Sequence, residues 1–421
     1  MSSQPGVHAL VRRTHEERVL RALREGGAMS RGEIGAIVGL SRSTLSEITG
    51  HLLQRGAIVV VDTDAGRREG SGRPAERLAL DPGSGQFMGI DFGHRRVHVV
   101  VADASHEILI SGSTPYHDDT PWAERISHAF AMIDRLSAEA KVHFGALQGI
   151  GIGVPGPFPR PPAASPRPTT GPAGRGWADG LNAAFTDRFA APVLIDNNTR
   201  LAGLAEAISG GNGGGNGVDD LVYVRLSDGV GGGLVVGSRL VTGSAGLAGE
   251  FGHVTVEPDG TECRCGKFGC LETVASVPAI LRRCQELGVP LADLTELESA
   301  VRRSHPVVDQ VLRAAAAAVG RVVGVTAMSL NPAKIVIGGE ITRIAPVIVQ
   351  QVAATVAYEL FPSSAPGPAV LAAQLSHEAG AVGALAALFH SSPLLVGYPE
   401  ADAWPTPRHL TPEGVAHGRS H

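Results

Sequence analysis

Between Gly249 and Thr273 the chain reads GEFGHVTVEPDGTECRCGKFGCLET, a stretch that holds Cys263, Cys265 and Cys270, three of the four cysteines in the sequence, together with His253. Three thiolates and one imidazole complete a tetrahedral shell around a borderline-soft cation such as zinc. Four protein donors leave no position for water, so the expected role of that zinc is structural rather than hydrolytic. Reduced surface thiols, or a disulfide between neighbours, are the alternatives. Cys-x-Cys is too tight to bridge comfortably, and Gly266 and Gly269 are turn residues of the kind a metal knuckle uses. Four glutamates share the segment, and carboxylates that accept from adjacent hydroxyls can orient a pyranose.

A second group with chemistry to offer is Asn197-Asn198, which ends the strand Val193 to Asp196. In α/β sheets ligands gather at the carboxyl ends of strands. An amide there can hydrogen-bond a hydroxyl but cannot take its proton at physiological pH.

Glu250-Phe251-Gly252-His253, Cys263-Arg264-Cys265-Gly266 and Gly269-Cys270-Leu271-Glu272 resemble the signature of the ROK family (repressors, open reading frames and sugar kinases). The resemblance runs along nearly the whole chain and is to transcriptional regulators of the xylose and N-acetylglucosamine repressor type. It implies an α/β fold with an N-terminal winged helix-turn-helix fused to a two-lobed actin-like ATPase (ribonuclease H-like, sugar kinase) fold. It also implies that Glu250, His253 and Glu272 bind sugar hydroxyls. A zinc-bound imidazole is held in one tautomer, so the second nitrogen of His253 becomes an aimed donor. Family kinases place Asn-Asp at 197–198, with the aspartate as the base; Asn198 replaces it here. The first phosphate turn keeps only Asp91 and Gly93, bulky His94 and Arg95 standing where small residues let phosphates approach. Ser227-Asp228-Gly229-Val230-Gly231-Gly232-Gly233 stands at the second phosphate loop, where Asp228 would repel a phosphate, and Gly338-Gly339-Glu340 stands where the family binds adenosine. The kinase reaction is therefore expected to be lost, while a sugar site of Asn197, Asn198, Glu250, His253 and Glu272 is kept.

Positioning these residues takes more than one domain, because 421 residues exceed the size at which a single core stops growing. With 43% hydrophobic and only 4% aromatic residues, the core is built from Ala, Val, Leu and Ile. A formal charge of −5 confines any nucleic-acid surface to a local patch. No charge-free run of about twenty apolar residues and no signal-peptide pattern is visible, so a cytoplasmic protein is expected. Clustered cysteines fit a reducing compartment, and Cys284, on a helix from Ile280 to Leu287, reads as a buried small hydrophobe.

The expected domains are 1–82, 83–391, and a disordered tail at 392–421. The first reads as a winged helix. Val19, Leu20 and Leu23 recur at helical spacing, Ser30 and Glu33 form a capping box before Ile34, Ile37 and Val38, and Gly39-Leu40-Ser41 is a turn. In the third helix Leu45, Ile48 and Leu52 face inward, leaving Arg42, Ser43, Thr44 and Ser46 to approach a major groove and its phosphates. The strands Ala57–Asp62 and Leu78–Leu80 flank a basic, glycine-rich tip whose Gly72-Arg73-Pro74 resembles the family's G-R-P. Arg73 is the expected minor-groove contact. After the linker Asp81–Gly85, strands at 87–92 and 97–102, a helix from Trp122 to Phe144, a strand at 149–154, an irregular flap from Phe158 to Gly176, a loop at 210–217, a strand at 221–226, a helix from Val307 to Leu330, a strand at 334–337 and a last helix from Ala379 to Phe389 follow. The reading is a sugar-responsive repressor acting on operator DNA as a homodimer or homotetramer. A sugar kinase with a DNA-binding head, and a docking module with an empty cleft, are the competing readings.

Overall fold

The computed structural model describes residues 15–16, 18–20, 22–23, 27–54, 57–63, 76–81, 85–103, 108–140, 147–156, 176–209, 218–362 and 366–391. The expected flap at 158–175, the loop at 210–217, the tip carrying Arg73, the helix end at 141–144 and the tail from 392 lie outside the described residues.

In the N-terminal unit, Val19, Leu20 and Leu23 are buried at their helical spacing against Ile34, Leu45, Ile48, Leu52 and Leu78. Each such side chain contributes roughly 1.5–3 kcal/mol on leaving water. Helix α1 (Arg31–Val38) begins at the capping box: Glu33 N–H donates to Ser30 Oγ at 3.3 Å and Ser30 N–H donates to Glu33 Oε2 at 2.7 Å. It ends at Gly39, whose φ of 63° is the left-handed turn glycine favours. Helix α2 (Arg42–Gln54) follows, with Thr44 N–H donating to Ser41 Oγ at 3.2 Å. Strand β1 (Met29–Ser30), absent from the sequence reading, joins β2 (Ile58–Thr63) and β3 (Glu76–Leu80) in an antiparallel sheet of order β1-β3-β2. Arg31 fastens helix to sheet, reaching Glu76 Oε2 at 2.8 Å and Thr49 Oγ1 at 3.1 Å.

Two α/β lobes follow, and they repeat one topology. In the first, β4 (Gln86–Phe92), β5 (Arg96–Asp103) and β6 (Ile108–Pro115) form an antiparallel meander, to which β7 (Leu147–Val154) and β8 (Val193–Asn197) add in parallel, giving the order β6-β5-β4-β7-β8. Parallel neighbours need crossovers, and α3 (Trp122–Ala140) and α4 (Gly176–Phe189) lie in those connections. The flap had been expected to run through Gly176; instead α4 starts there, because Trp177 stacks on Trp122 at 4.3 Å and gives the segment a core to pack on.

Helix α5 (Asn198–Ser209) leads to the second lobe. There β9 (Leu221–Leu226), β10 (Val230–Val236) and β11 (Arg239–Leu240) form the meander, and the sheet order is β11-β10-β9-β12-β13, with β12 (Lys334–Gly338) and β13 (Ala369–Ala372) parallel to β9. Helices α6 (Glu272–Ala275), α7 (Val277–Glu286), α8 (Leu294–Arg302), α9 (Pro306–Leu330), α10 (Glu340–Ile344) and α11 (Val347–Glu359) cover it. Among the described residues α9 alone is long and apolar enough to cross a membrane by length and composition, and its Val308, Leu312, Val319 and Val323 are buried in the second-lobe core. Cys284 is fully buried on α7.

The last helix, α12 (Ala379–Ser391), returns to the first lobe and packs on its sheet beside α5. The contact is backbone on backbone. A Cβ on Gly89 would lie 2.1 Å from the Ala381 carbonyl, one on Gly151 would lie 2.4 Å from the Ala384 carbonyl, and one on Gly383 would lie 1.8 Å from the Leu201 carbonyl. Gly383→Ala is expected to destabilise the protein by on the order of 3 kcal/mol, because the atom it meets is backbone that cannot swing away. Gly180→Ala, on an exposed face of α4 with nothing within 4 Å, should instead raise stability by about 0.5–1 kcal/mol. Urea denaturation of the two variants checks the pair; equal behaviour would rule out this packing.

Candidate functional site

A cleft of about 360 Å³ opens between the two lobes at the carboxyl ends of their central strands. Asn197, Asn198, Glu250, His253 and Glu272, which come from three separate stretches of sequence, all line it. So do Asp91, Gly93, His94 and Arg95 of the first β-turn and Ser227, Asp228 and Gly229 of the second.

The two asparagines are fixed by local hydrogen bonds. Asn197 caps α5, its Oδ1 accepting from Thr199 N–H at 2.8 Å and Arg200 N–H at 3.1 Å, while its Nδ2 donates to the Gly156 carbonyl at 2.5 Å. Asn198 Nδ2 donates to Asp91 Oδ1 at 2.9 Å. Burial pushes the Asp91 carboxyl above its ordinary range, against the opposing pull of Arg225 and of that amide. An amide at 198 thus satisfies a buried carboxylate that a second carboxylate would oppose.

On the facing wall, Glu272 is held by Val230 N–H at 3.1 Å and by a two-pronged contact with Arg264, Nε to Oε1 at 2.8 Å and Nη2 to Oε2 at 2.9 Å. Such a fork-to-fork pair fixes the carboxylate plane as well as its charge. Any side chain at 229 would collide with this pair, a Cβ there lying 2.7 Å from Glu272 Oε2. Glu250 sits ahead of the short 3-10 turn Phe251–His253, and burial raises its pKa, with Arg200 pulling it back down. Glu340 shows the opposite balance: burial pushes it up, but Arg225, backbone N–H and the Ser227 hydroxyl, at 2.8 Å, hold it below the usual carboxylate range.

The second phosphate-loop expectation needs correction. Only Ser227–Gly229 is a turn; Gly231, Gly232 and Gly233 lie within β10, where a Cβ would meet Thr199, Phe251 and the Arg200 backbone at 2.8, 2.2 and 3.1 Å. These glycines serve strand-to-helix packing. Asp228, expected to repel a phosphate, has Arg95 at 3.7 Å across the cleft. His94 faces Asp118 at 3.0 Å.

The ligating atoms of His253, Cys263, Cys265 and Cys270 lie within 4.8 Å of one another, a set that could hold a metal ion. His253 Nδ1 is 3.6 Å from Cys263 Sγ, and Cys265 Sγ is 3.7 Å from Cys270 Sγ. A tetrahedron with bonds of about 2.0–2.3 Å has edges of roughly 3.3–3.8 Å, which these two separations match. Burial pushes the Cys270 thiol up to about 12, the direction expected of a buried sulfur before a cation claims it. Glycines with left-handed backbone, Gly266 at φ 84° and Gly269 at φ 62°, turn the chain around the cluster.

Of the residues expected to meet DNA, Arg42, Ser43 and Ser46 are exposed on α2 and Thr44 is half-buried. The Ser41 hydroxyl holds those of Ser43 and Thr44 at 3.0 and 2.8 Å. Arg73 lies outside the described residues. Sequence reasoning missed Arg225, which lines the cleft floor between Asp91 and Glu340, and Arg200 and Arg264 beside the glutamates. Arg264 was findable as the residue enclosed by two cysteines of the His/Cys cluster; Arg200 as the lone cation of its helix, four residues after Asp196.

The model of the ROK family matches residues 87–391. A putative xylose repressor of Caldicellulosiruptor sp. (strain Rt8B.4) is 31% identical over 277 residues, covering 66% of this chain and 67% of that protein. The DNA-binding transcriptional dual regulator NagC of Escherichia coli (strain K12) is 28% identical over 397 residues, covering 91% and 94%. Among solved structures, a ROK family transcriptional regulator, homolog of the E. coli MLC protein, superposes with a TM-score of 0.71 at 22% identity over 90% of this chain and 97% of that one, a likeness of fold. A ROK family glucokinase from Streptomyces griseus in complex with glucose and AMPPNP superposes with a TM-score of 0.57 at 26% identity, over 72% and 99%.

Asn198→Asp tests the amide's role. The folded protein would carry two carboxyls at hydrogen-bond distance, one of which must keep a proton, so its folded pKa rises above the unfolded value. Stability from a raised carboxyl is present at low pH and lost as pH rises through the folded pKa. The variant is expected to match the wild type at about pH 4, near the unfolded aspartate pKa, and to fall about 1–3 kcal/mol below it at pH 8. Urea midpoints at the two pH values measure this, and a pH-independent difference would contradict it.

Proposed function

Because the chain belongs to the ROK family, we propose that it is a sugar-responsive DNA-binding transcriptional repressor of carbohydrate uptake or catabolism genes, acting in the cytoplasm on operator DNA. The observation that carries this reading is the meeting of Asn197, Asn198, Glu250, His253 and Glu272 in one cleft, on a chain whose N-terminal unit bares Arg42, Ser43 and Ser46. The whole-length relatives support it, since proteins named N-acetylglucosamine repressor and DNA-binding transcriptional repressor Mlc align over 91% of the chain.

The cleft's charges favour a neutral, hydroxyl-rich ligand. Glu272 is neutralised by Arg264, Asp228 has Arg95 across the cleft, and Arg225 stands between Asp91 and Glu340. A buried charge left without a counter-charge would be costly, so the carboxylates serve as acceptors rather than as a site for a free cation. In this reading the first domain, 1–82, is the winged helix, with α2 as its recognition helix and Arg73 on its wing. Residues 83–391 form the two-lobed effector domain. Sugar shifts DNA affinity only by the difference between its affinities for two lobe arrangements, which paired heads in a homodimer or homotetramer convert into a changed spacing.

The domain carries no sugar-kinase activity in this proposal. Asn198 cannot act as the base, its Nδ2 is engaged by Asp91, and His94 and Arg95 fill the first phosphate turn. Kinase neighbours such as the Streptomyces griseus glucokinase keep the other reading open to test: ATP-dependent turnover of a hexose would overturn this one.

Zinc is the metal we assign to His253, Cys263, Cys265 and Cys270, in a structural role. When bound it holds the knuckle, and with it Arg264 and the His253 ring, against the cleft. Cys265 is exposed, so Cys265→Ser removes a ligand without opening the core. Its expected effect is a zinc content well below the one ion per chain of the wild type, read by elemental analysis; wild-type protein without zinc would reject the assignment.

Mobility-shift titration with and without candidate sugars tests the whole reading. Arg42→Ala should weaken binding to all sequences and flatten the salt dependence by about one unit, as loss of a phosphate contact does. Arg73→Ala should act mainly at A·T-rich flanks, by about 1–3 kcal/mol. Glu250→Ala should bind DNA normally and lose release by sugar. Normal release by this last variant would move the sensor out of the cleft.

A further inference from the structure

Arg200 has the largest fully buried side chain among the described residues, 1% exposed, and is the only cation on a helix whose other buried residues are Leu, Ala and Gly with Asn198, Thr199 and Glu206. Its Nε donates to Asp196 Oδ1 at 2.9 Å, Nη2 donates to the same oxygen, and Nη1 donates to the Gly246 carbonyl. Asp196 Oδ1 also accepts from Asn197 N–H at 2.6 Å, and Asn197 Nδ2 reaches the Gly156 carbonyl. One continuous hydrogen-bonded line therefore runs behind the cleft, from Gly246 through Arg200 and Asp196 to Asn197 and Gly156.

The two ends of that line are the roots of the two halves of the cleft. Asn197 and Asn198 directly follow Asp196 at the end of β8, and Glu250 follows Gly246 by four residues in the loop after β11. Gly246 and Gly249 have left-handed backbone, at φ 74° and 84°, and a Cβ on Gly249 would lie 2.7 Å from the Gly232 carbonyl. The loop is thus pinned at the Gly249 end by β10 and at the Gly246 end by Arg200. A buried ion pair is poor at raising stability, since well-packed apolar groups do as well. A guanidinium fork that fixes two acceptors on different elements is good at fixing geometry.

We propose that Arg200 is a positioning residue that sets Glu250 at a defined distance from Asn197 and Asn198, and so determines which spacing of sugar hydroxyls the cleft accepts; this rests on the sugar-binding reading of that site. A lysine at 200 offers a point charge that can serve Asp196 or Gly246 but cannot fork between them. With Asp196 alone engaged, the loop from 243 to 249 loses its inner anchor while the knuckle beyond it keeps its own.

The test uses full-length wild type, Arg200→Lys, Glu250→Gln and the double variant. Calorimetric titration with glucose, xylose and N-acetylglucosamine gives affinity, hydrogen exchange reports on residues 243–253, and elemental analysis reports on the knuckle. Arg200→Lys is expected to bind the wild type's preferred sugar at least tenfold more weakly, to narrow its preference among the three, and to exchange faster over 243–253 with metal content unchanged. In its background Glu250→Gln should cost less than a third of what it costs alone, because the carboxylate is already misplaced. A purely structural role would give additive losses and exchange rising across the whole lobe, and either result overturns the proposal. If the wild type bound none of the sugars, the sugar reading would fall by itself, and unchanged exchange over 243–253 in Arg200→Lys would still reject Arg200 as the anchor. Should Arg200→Lys not fold, Asp196→Asn, which leaves the guanidinium an acceptor but no counter-charge, reads the same loop from its other end.

Discussion

The contact of α12 with the first-lobe sheet is made by backbone against backbone, and the rest of the molecule depends on it. Gly89 and Gly151 on β4 and β7 admit the carbonyls of Ala381 and Ala384, and Gly383 admits that of Leu201 on α5. Close packing of this kind leaves little room for adjustment, so the helix pair holds the strands' carboxyl ends in place. Those ends carry Asp91, Pro155 and Asn197, and the cleft inherits their precision. Gly380 extends the same contact to the chemistry, because a Cβ there would lie 2.2 Å from Asp91 Oδ2.

Charge is the second constraint. The cleft brings Asp91, Asp228, Glu250, Glu272 and Glu340 together, an arrangement that folding permits only where each carboxylate has a cation near it. Arg95, Arg225, Arg264 and Arg200 supply them, from four different elements. The pairing decides the pKa directions: Asp91 and Glu250 lie above their ordinary values because burial outweighs their partners, while Glu340, with Arg225, a serine hydroxyl and a backbone N–H, lies below.

The knuckle joins these two constraints. Arg264 stands between Cys263 and Cys265, so whatever fixes the thiolates also fixes the guanidinium that orients Glu272. His253 belongs to both the donor cluster and the cleft wall, and the knuckle's own turns, at Gly266 and Gly269, are set by backbone conformation rather than by the neighbouring lobe.

Much of this was legible in the sequence wherever the physics is local. The Ser30 capping box, the αL turn at Gly39, the inward stripe of Leu45, Ile48 and Leu52, the strand ending in Asn197 and the cysteine spacing all act within a few residues, and the sequence displays them directly. Glycines could be seen as close-packing or turn residues but not told apart: Gly231 to Gly233 looked like a phosphate loop and are strand positions, because what they approach, Thr199, Phe251 and Arg200, comes from elsewhere in the chain. The start of α4 at Gly176 was hidden for the same reason, since Trp177 gains its partner only when α3 brings Trp122 beside it. The sequence by itself thus determined the caps, turns and apolar stripes of the elements it displayed, the spacing of the His/Cys cluster and the family signature. Only the tertiary structure decided which arginine answers which carboxylate, because a counter-charge is chosen by distance in space, and Arg95 and Asp228, or Asp91 and Asn198, stand more than a hundred residues apart in the chain.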